Sequence, residues 1–102
     1  GRNYATALVA LDPEALDQWG RAHGLTARDY PSLAGSPEVH TYVQTCIDEL
    51  NSRLNRWETI KKFTILDRDL SEEGGELTAS LKVKRKVVEE HFADQIEAMY
   101  AS

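Results

Sequence analysis

Four segments of the chain carry a regular pattern of hydrophobic and polar positions. The first, residues 4–12 (YATALVALD), is short, apolar and rich in β-formers, which predicts a strand buried on both faces. Asp12 followed by Pro13 indicates a helix start, because aspartate accepts hydrogen bonds from the free N–H groups of a first turn and proline suits the first helical position. Gly24 is suited to the C-terminal cap of this helix.

A second helix is predicted from Ser36-Pro37, after a connector, TARDYPSLAGS, that contains several turn residues. Its apolar side chains recur at spacings of four, four, three and four residues, which is the period of an amphipathic helix. They are Val39, Val43, Ile47, Leu50 and Leu54. Residues 63–66 (FTIL) then predict a second strand, and Lys61 and Lys62 either begin that strand or end a turn.

The C-terminal third combines a long irregular segment with a further helix. Residues 67–83 show no clear period, and a loop of this length inside a compact domain is usually functional or disordered. The last helix is predicted over residues 84–100, where the apolar stripe consists of Val88, Phe92, Ile96 and Met99.

The order strand, helix, helix, strand, loop, helix predicts an α+β fold of about three helices packed on a short β-sheet. Residues 1–102 are expected to form one domain. Two recognisable strands are too few for a stable sheet in water, so we expect further strands upstream of this chain. The start at Gly1 rather than Met likewise favours a piece of a longer protein.

Composition narrows the class of protein. With 41% hydrophobic and 28% charged residues, the chain is typical of a folded, water-soluble domain, and its net charge of −5 argues against a general nucleic-acid binder. The single cysteine, Cys46, excludes an internal disulfide and fits a reducing, cytoplasmic setting. His40 and His91 lack partners at metal-ligand spacing, so no metal site is expected.

Several side chains are expected in the hydrophobic core by their type and position alone. Cys46 lies on or beside the apolar stripe of the second helix and is expected to be a core residue rather than a nucleophile. The expected core aromatics are Trp19, Trp57, Phe63 and Phe92.

A basic cluster stands at the expected start of the last helix and consists of Lys82, Lys84, Arg85 and Lys86. Helix N-termini carry partial positive charge, so this placement is unfavourable unless an anion binds there. A specific phosphate or carboxylate site is therefore one interpretation. A solvated face with partners one turn later at Glu89 and Glu90 is another, and contact with nucleic acid or an acidic membrane is a third.

The stretch GGELTASLKVKRKVVEEHF, residues 74–92, resembles the C-terminal signature of long-chain fatty acid–CoA ligases, which belong to the AMP-forming adenylating enzymes. In that branch the signature reads roughly Asn-Gly-Glu-Leu-Thr-Pro-Thr-Leu-Lys-x-Lys-Arg, followed by a helix. This chain has Gly74 for Asn, Ala79 for Pro and Ser80 for Thr. Other branches of the superfamily have Gly just before the lysine, where this chain has Leu81. Residues 1–16 and 57–78 also resemble the family, so the resemblance covers nearly the whole chain.

The resemblance implies that the chain is the mobile C-terminal lid of a two-domain ligase. The large N-terminal domain, outside this sequence, would bind ATP, Mg²⁺ and the acyl chain. The parent enzyme would convert fatty acid and ATP to acyl-adenylate and pyrophosphate, and then use CoA to form acyl-CoA and AMP. The isolated chain is expected to be inactive and to hold no cofactor. A cytoplasmic, bacterial enzyme without a nucleic-acid partner is expected, and peripheral contact with the inner face of the membrane is left open.

The resemblance also assigns roles to residues of the basic cluster. Lys82 matches the lid lysine of the family, which implies that it stabilises the transition state of adenylation. Further roles in contacting phosphate or positioning the loop are implied for Thr78, Lys84, Arg85 and Lys86. The residues alone leave an alternative open, in which the chain is a small non-catalytic α+β module that binds an acidic partner through residues 82–86.

Overall fold

The computed structural model of the chain describes residues 4–25 and 29–101. The chain divides into two compact units, Gly1–Asp69 and Leu70–Ser102. Within the described residues, the first unit contains a two-stranded sheet and three α-helices, and the second contains an irregular segment followed by two α-helices. The predicted α+β class is confirmed.

The sheet of the first unit is formed by β1 (Ala5–Val9) and β2 (Ile60–Ile65), which run parallel with Ala7 opposite Phe63. Both strands lie where the hydrophobic pattern predicts them, although β2 begins three residues earlier than Phe63. Parallel strands cannot be joined by a tight turn, so the chain between them must make a long crossover.

Three helices form this crossover: α1 (Pro13–Ala22), α2 (Tyr30–Ala34) and α3 (Pro37–Asn51). A short 3₁₀ turn, Arg56–Glu58, then leads into β2. α3 ends three residues before the predicted end at Leu54, because the chain turns at Ser52 towards that 3₁₀ turn.

Side-chain caps explain where α1 and α3 begin. Asp12 Oδ2 accepts a hydrogen bond from the Ala15 N–H at 2.9 Å, and Ser36 Oγ accepts one from the Val39 N–H at 3.2 Å. Each cap satisfies a backbone donor that has no partner inside its own helix. Both are the caps that the sequence predicts.

The helix α2 lies in the connector for which the sequence predicts only turns, and residues 26–28 of that connector are outside the described residues. Asp29 Oδ1 accepts the Ser32 N–H at 2.9 Å, and this hydrogen bond lowers the pKa of the Asp29 carboxyl. Pro31 occupies a first-turn position. The Asp-x-Pro order is therefore a helix start of the same kind as Asp12-Pro13.

The core of the first unit is built from the inner faces of α1, α2 and α3. Its buried side chains are Leu16, Leu33, Val39, Val43 and Ile47. The three members from α3 belong to the predicted apolar stripe, which confirms its period. Trp19 and Phe63 pack against this core as partly buried side chains.

Two core expectations are wrong. Trp57 is 80% exposed, because it stands in the 3₁₀ turn between α3 and β2 rather than on an inward-facing strand position. Cys46 is also exposed. It precedes the buried Ile47 directly, and successive helical residues are rotated by about 100° around the axis, which turns Cys46 away from the core.

Tyr30 joins α2 to the segment between β1 and α1. Its hydroxyl donates to the Leu11 C=O at 2.7 Å and accepts the Leu11 N–H at 2.9 Å. Burial is the largest cause that raises the pKa of the Tyr30 hydroxyl. The fold thus favours the neutral phenol, and the stability that this group contributes is complete below pH ~10 and is lost as the pH rises further.

We expect Tyr30→Phe to lower the free energy of unfolding by about 1–2 kcal/mol, because two backbone groups of Leu11 lose their partner in a partly buried position. Urea denaturation followed by circular dichroism measures the change. Tyr42→Phe is the matched control, since Tyr42 is 53% exposed and its contact with Trp19 is made by the ring. Equal losses in both variants would contradict this account of Tyr30.

The second unit ends in α4 (Arg85–His91) and α5 (Ala93–Tyr100). The prediction of one continuous helix is wrong at Phe92, whose φ of −117° and ψ of 28° interrupt the helical geometry. Hydrogen bonds from the Phe92 N–H to the Val88 C=O and from the Ile96 N–H to the Phe92 C=O persist across the break. Neither Gly nor Pro marks this position, and the apolar stripe continues through it, so the hydrophobic pattern does not reveal the break.

The buried side chains of the second unit include Val88, Phe92 and Met99, all from the predicted stripe. None of the helices in residues 4–25 and 29–101 combines the length and the apolar character that crossing a membrane requires.

Candidate functional site

Lys82 lies in a tight turn of the second unit and not at a helix start. Leu77 and Val83 form an isolated antiparallel bridge, and we call residues 77–83 the Lys82 turn. The Thr78 N–H donates to the Lys82 C=O at 2.8 Å, and the Leu81 N–H donates to the Thr78 C=O at 2.8 Å. The expected position of Lys82 at the start of the last helix is therefore corrected, since α4 begins three residues later at Arg85.

Thr78 fixes this turn with its side chain as well as its backbone. Its Oγ1 accepts the Lys82 N–H at 3.0 Å and lies 3.0 Å from Ser80 Oγ. The N–H and the C=O of Lys82 are thus both bonded to Thr78, which leaves the backbone of Lys82 little freedom. Of the residues implied with Lys82, Thr78 is the one that the structure brings into direct contact with it.

Leu81 adopts a backbone conformation that favours glycine. Its φ is 64°, and its side chain is 70% exposed. Antiparallel segments are commonly joined by a three-residue loop, in which a tight turn is followed by a residue in the left-handed region. Glycine is the usual residue at that last position. The departure noted in the sequence, Leu where other branches have Gly, therefore falls on the one non-glycine residue among those described that has a positive φ.

We expect Leu81→Asn to raise the free energy of unfolding by up to about 1 kcal/mol, because asparagine tolerates the left-handed region better than leucine does. Leu81→Ile should lower it by about 1 kcal/mol, because a branched Cβ is least compatible with positive φ. Thermal unfolding followed by circular dichroism compares the two variants. Shifts in the same direction would contradict the strained conformation.

The other members of the basic cluster flank the start of α4. Lys84 is at the N-cap position without capping through its side chain, and Arg85 and Lys86 occupy the first turn. The four side chains of the cluster are exposed, and within the described ranges none of them forms an ion pair or a side-chain hydrogen bond. The pairs expected with Glu89 and Glu90 are thus not formed there. Four exposed cations remain available to an anion of another domain or ligand.

Glu76 is a buried charged residue next to the Lys82 turn, and its burial is not expected from the hydrophobic pattern. Its side chain is fully buried; Oε1 accepts the Ser71 N–H at 3.1 Å, and Oε2 lies 2.8 Å from Nδ1 of His91 at the end of α4. A buried carboxylate is costly unless its oxygens are hydrogen-bonded. Its place in the Gly-Glu-Leu-Thr part of the signature, residues 75–78, is a sequence feature that could have indicated it.

No group of three His, Cys, Asp or Glu side chains in the described part of the chain is placed to hold a metal ion. What the Lys82 turn and the basic cluster present is positive charge: an exposed ammonium on a fixed backbone, three more cations close in sequence, and a turn held by Thr78. Such a group can bind an anion or stabilise negative charge that develops during a reaction.

Comparison with known protein families shows to which family the chain belongs. Residues 25–102, which include the Lys82 turn and the basic cluster, match the AMP-binding enzyme C-terminal domain. The chain belongs to the AMP-binding enzyme C-terminal domain family. The predicted resemblance to the C-terminal domain of an AMP-forming enzyme is thereby confirmed.

Individual relatives of this AMP-binding enzyme C-terminal domain carry more specific names. It is 41% identical over 98 residues to the long-chain-fatty-acid–CoA ligase FadD15 of Mycobacterium tuberculosis, a match that covers 95% of this chain and 16% of that protein. It is 31% identical over 97 residues to the peroxisomal long chain acyl-CoA synthetase 7 of Arabidopsis thaliana, covering 93% of this chain and 14% of that protein. It is 32% identical over 93 residues to the long-chain-fatty-acid–CoA ligase ACSBG2 of Xenopus laevis, a match that covers 88% of this chain and 12% of that protein.

The AMP-binding enzyme C-terminal domain thus spans 12–16% of the length of these relatives. No solved structure matches the chain.

Proposed function

We propose that this chain is the lid of an AMP-forming long-chain fatty acid–CoA ligase and that Lys82 acts in its adenylation step. One observation carries the proposal: the side chain of Lys82 is exposed while its backbone is fixed on both sides by Thr78. The family and the names of the relatives support the reaction class. The partner of the lid is a large N-terminal domain that binds ATP, Mg²⁺ and the fatty acid, in an enzyme that we place in the cytoplasm.

In the first step of the proposed reaction, a carboxylate oxygen of the fatty acid attacks the α-phosphorus of ATP. A phosphorus–oxygen bond forms, the bond to the leaving pyrophosphate breaks, and acyl-adenylate results. Two anions must approach each other, and negative charge is spread over the oxygens on phosphorus in the transition state. The ammonium of Lys82 neutralises that charge, and the contact accelerates the step because it is stronger in the transition state than in the ground state.

Lysine is suited to a role in which the side chain enters the site from another domain. Its long stem extends from the turn, and its ammonium is a point charge that needs no fixed two-point geometry. In the second step the CoA thiol attacks the acyl carbon and AMP leaves. We propose that the lid rotates between the two steps and withdraws Lys82, which makes room for the thiol.

The remaining residues have supporting roles in this proposal. Thr78 positions the turn, in keeping with its three hydrogen bonds to the backbone of Lys82 and Leu81. Lys84, Arg85 and Lys86 hold the lid against the large domain or contact the phosphates of CoA, since their side chains are exposed.

The proposal is tested on the full-length protein that contains this chain. We expect exchange of pyrophosphate into ATP that depends on a long-chain fatty acid and needs no CoA, and formation of thioester and AMP once CoA is added. The isolated chain should be silent in both assays. If no fatty acid supports the exchange, at any chain length tried, the proposed reaction is wrong.

A further inference from the structure

We propose that Glu76 and His91 are positioning residues that hold the Lys82 turn in its working orientation. The inference rests on the proposed role of Lys82, but its structural basis is independent of that role. Glu76 is fully buried, and its two carboxylate oxygens are directed to different partners, the Ser71 N–H and the imidazole of His91.

The backbone of Glu76 joins the same pieces of chain. Its N–H donates to the Ser71 C=O at 3.0 Å, and its C=O accepts the Lys84 N–H at 2.8 Å. This hydrogen bond to Lys84 neighbours the one between Thr78 and Lys82 in the antiparallel pairing. Glu76 therefore lies where the pairing that closes the turn begins. The carboxylate connects this end of the pairing to His91, the last residue of α4.

The two glycines before Glu76 lie in the tight turn that leads to its carboxylate. The Gly75 N–H donates to the Glu72 C=O at 3.0 Å, and Gly75 has a φ of 81°, which suits glycine. A Cβ on Gly74 would lie 2.7 Å from Ser71 Oγ, closer than real contacts allow. Gly75 therefore supplies the positive φ that the chain needs just before Glu76, and a larger residue at position 74 would require the Ser71 side chain to move.

Energetics favour a positioning role over general stabilisation. A buried carboxylate and its partner are often no more stabilising than apolar side chains of the same size. Hydrogen bonds are directional, however, so a carboxylate held by Ser71 and His91 fixes the orientation of the segment that carries it. A displacement of about 1 Å in a catalytic group can cost about 10²-fold in rate.

The test uses His91 variants of the full-length protein, because His91 is partly exposed and its replacement is tolerated more readily than loss of the buried Glu76. We expect His91→Ala to slow acyl-adenylate formation about 10–100-fold, while conversion of supplied acyl-adenylate to thioester changes less than threefold. His91→Asn, whose amide nitrogen takes the place of Nδ1, should restore most of the rate. Glu90→Ala is the matched control, since Glu90 is exposed on the same helix.

Hydrogen exchange measured by mass spectrometry on peptides covering residues 77–84 supplies a readout that needs no activity. We expect faster hydrogen exchange in His91→Ala, a return to the original rate in His91→Asn, and no change in Glu90→Ala. Unchanged exchange in His91→Ala, or equal loss in both half-reactions, overturns the positioning role. If the unmodified protein shows no fatty-acid-dependent exchange of pyrophosphate into ATP, the proposed function is overturned instead. The hydrogen-exchange result still decides whether His91 holds the turn in place.

Discussion

Lys82→Ala in the full-length protein is expected to slow acyl-adenylate formation by about 10²–10³-fold, equivalent to roughly 3–4 kcal/mol of transition-state stabilisation. The loss is large because the lid and the large domain would exclude water from the site, so that solvent cannot replace the missing charge. Fatty-acid-dependent exchange of pyrophosphate into ATP measures this step alone. The exposed position of Lys82 means that the substitution removes no contact that the fold needs.

Lys86→Ala is the control for this prediction, since Lys86 is also an exposed lysine of the basic cluster but lies in the first turn of α4. We expect its effect on the exchange rate to stay within about fivefold, because the assay contains no CoA and one exposed charge of three adds little to the contact between the domains. Equal losses for the two lysines would mean that the cluster acts through its total charge. That result would contradict a specific role for Lys82.

Leu33→Ala is expected to lower the free energy of unfolding of the first unit by about 2–5 kcal/mol. Leu33 is 3% exposed in the core. Its methyl carbons also limit the space beside Gly20, where a Cβ would lie 3.2 Å from Leu33 Cδ2. Removing this side chain leaves a cavity that short α2 can fill only by moving towards α1.

Urea denaturation of the chain, followed by tryptophan fluorescence and circular dichroism, measures that loss. Trp19 packs against the same core and reports on it directly. Leu50→Ala is the matched control because Leu50 is 44% exposed on α3, and its loss should stay below about 1 kcal/mol. A loss for Leu33→Ala no larger than that of the control would contradict the assignment of the core.

Local signals in the sequence were sufficient to predict most of the first unit. Asp12 and Ser36 cap their helices as predicted, because a cap needs only residues three positions apart. The stripe of α3 places Val39, Val43 and Ile47 in the core because helical period and burial agree there. The exposed Trp57 shows the limit of residue type as a guide, since large aromatic side chains are frequent but not obligatory in cores.

The sequence names the residues of the candidate site but not their geometry. The charge pattern placed Lys82 at a helix end, whereas hydrogen bonds from Thr78 place it in a turn that ends before α4. The contacts of Glu76 could not be predicted from local sequence, because one of them joins it to His91, which lies 15 residues further along the chain. Contacts of this range are determined by tertiary packing, which periodicity and propensity do not describe.

The central claim is that the ammonium of Lys82 serves adenylation and not thioester formation. The most direct test is single-turnover conversion of supplied acyl-adenylate and CoA to acyl-CoA by the full-length Lys82→Ala variant. We expect a rate within about threefold of the unmodified protein, beside the loss of about 10²–10³-fold in adenylation. A loss of similar size in both half-reactions would contradict the claim.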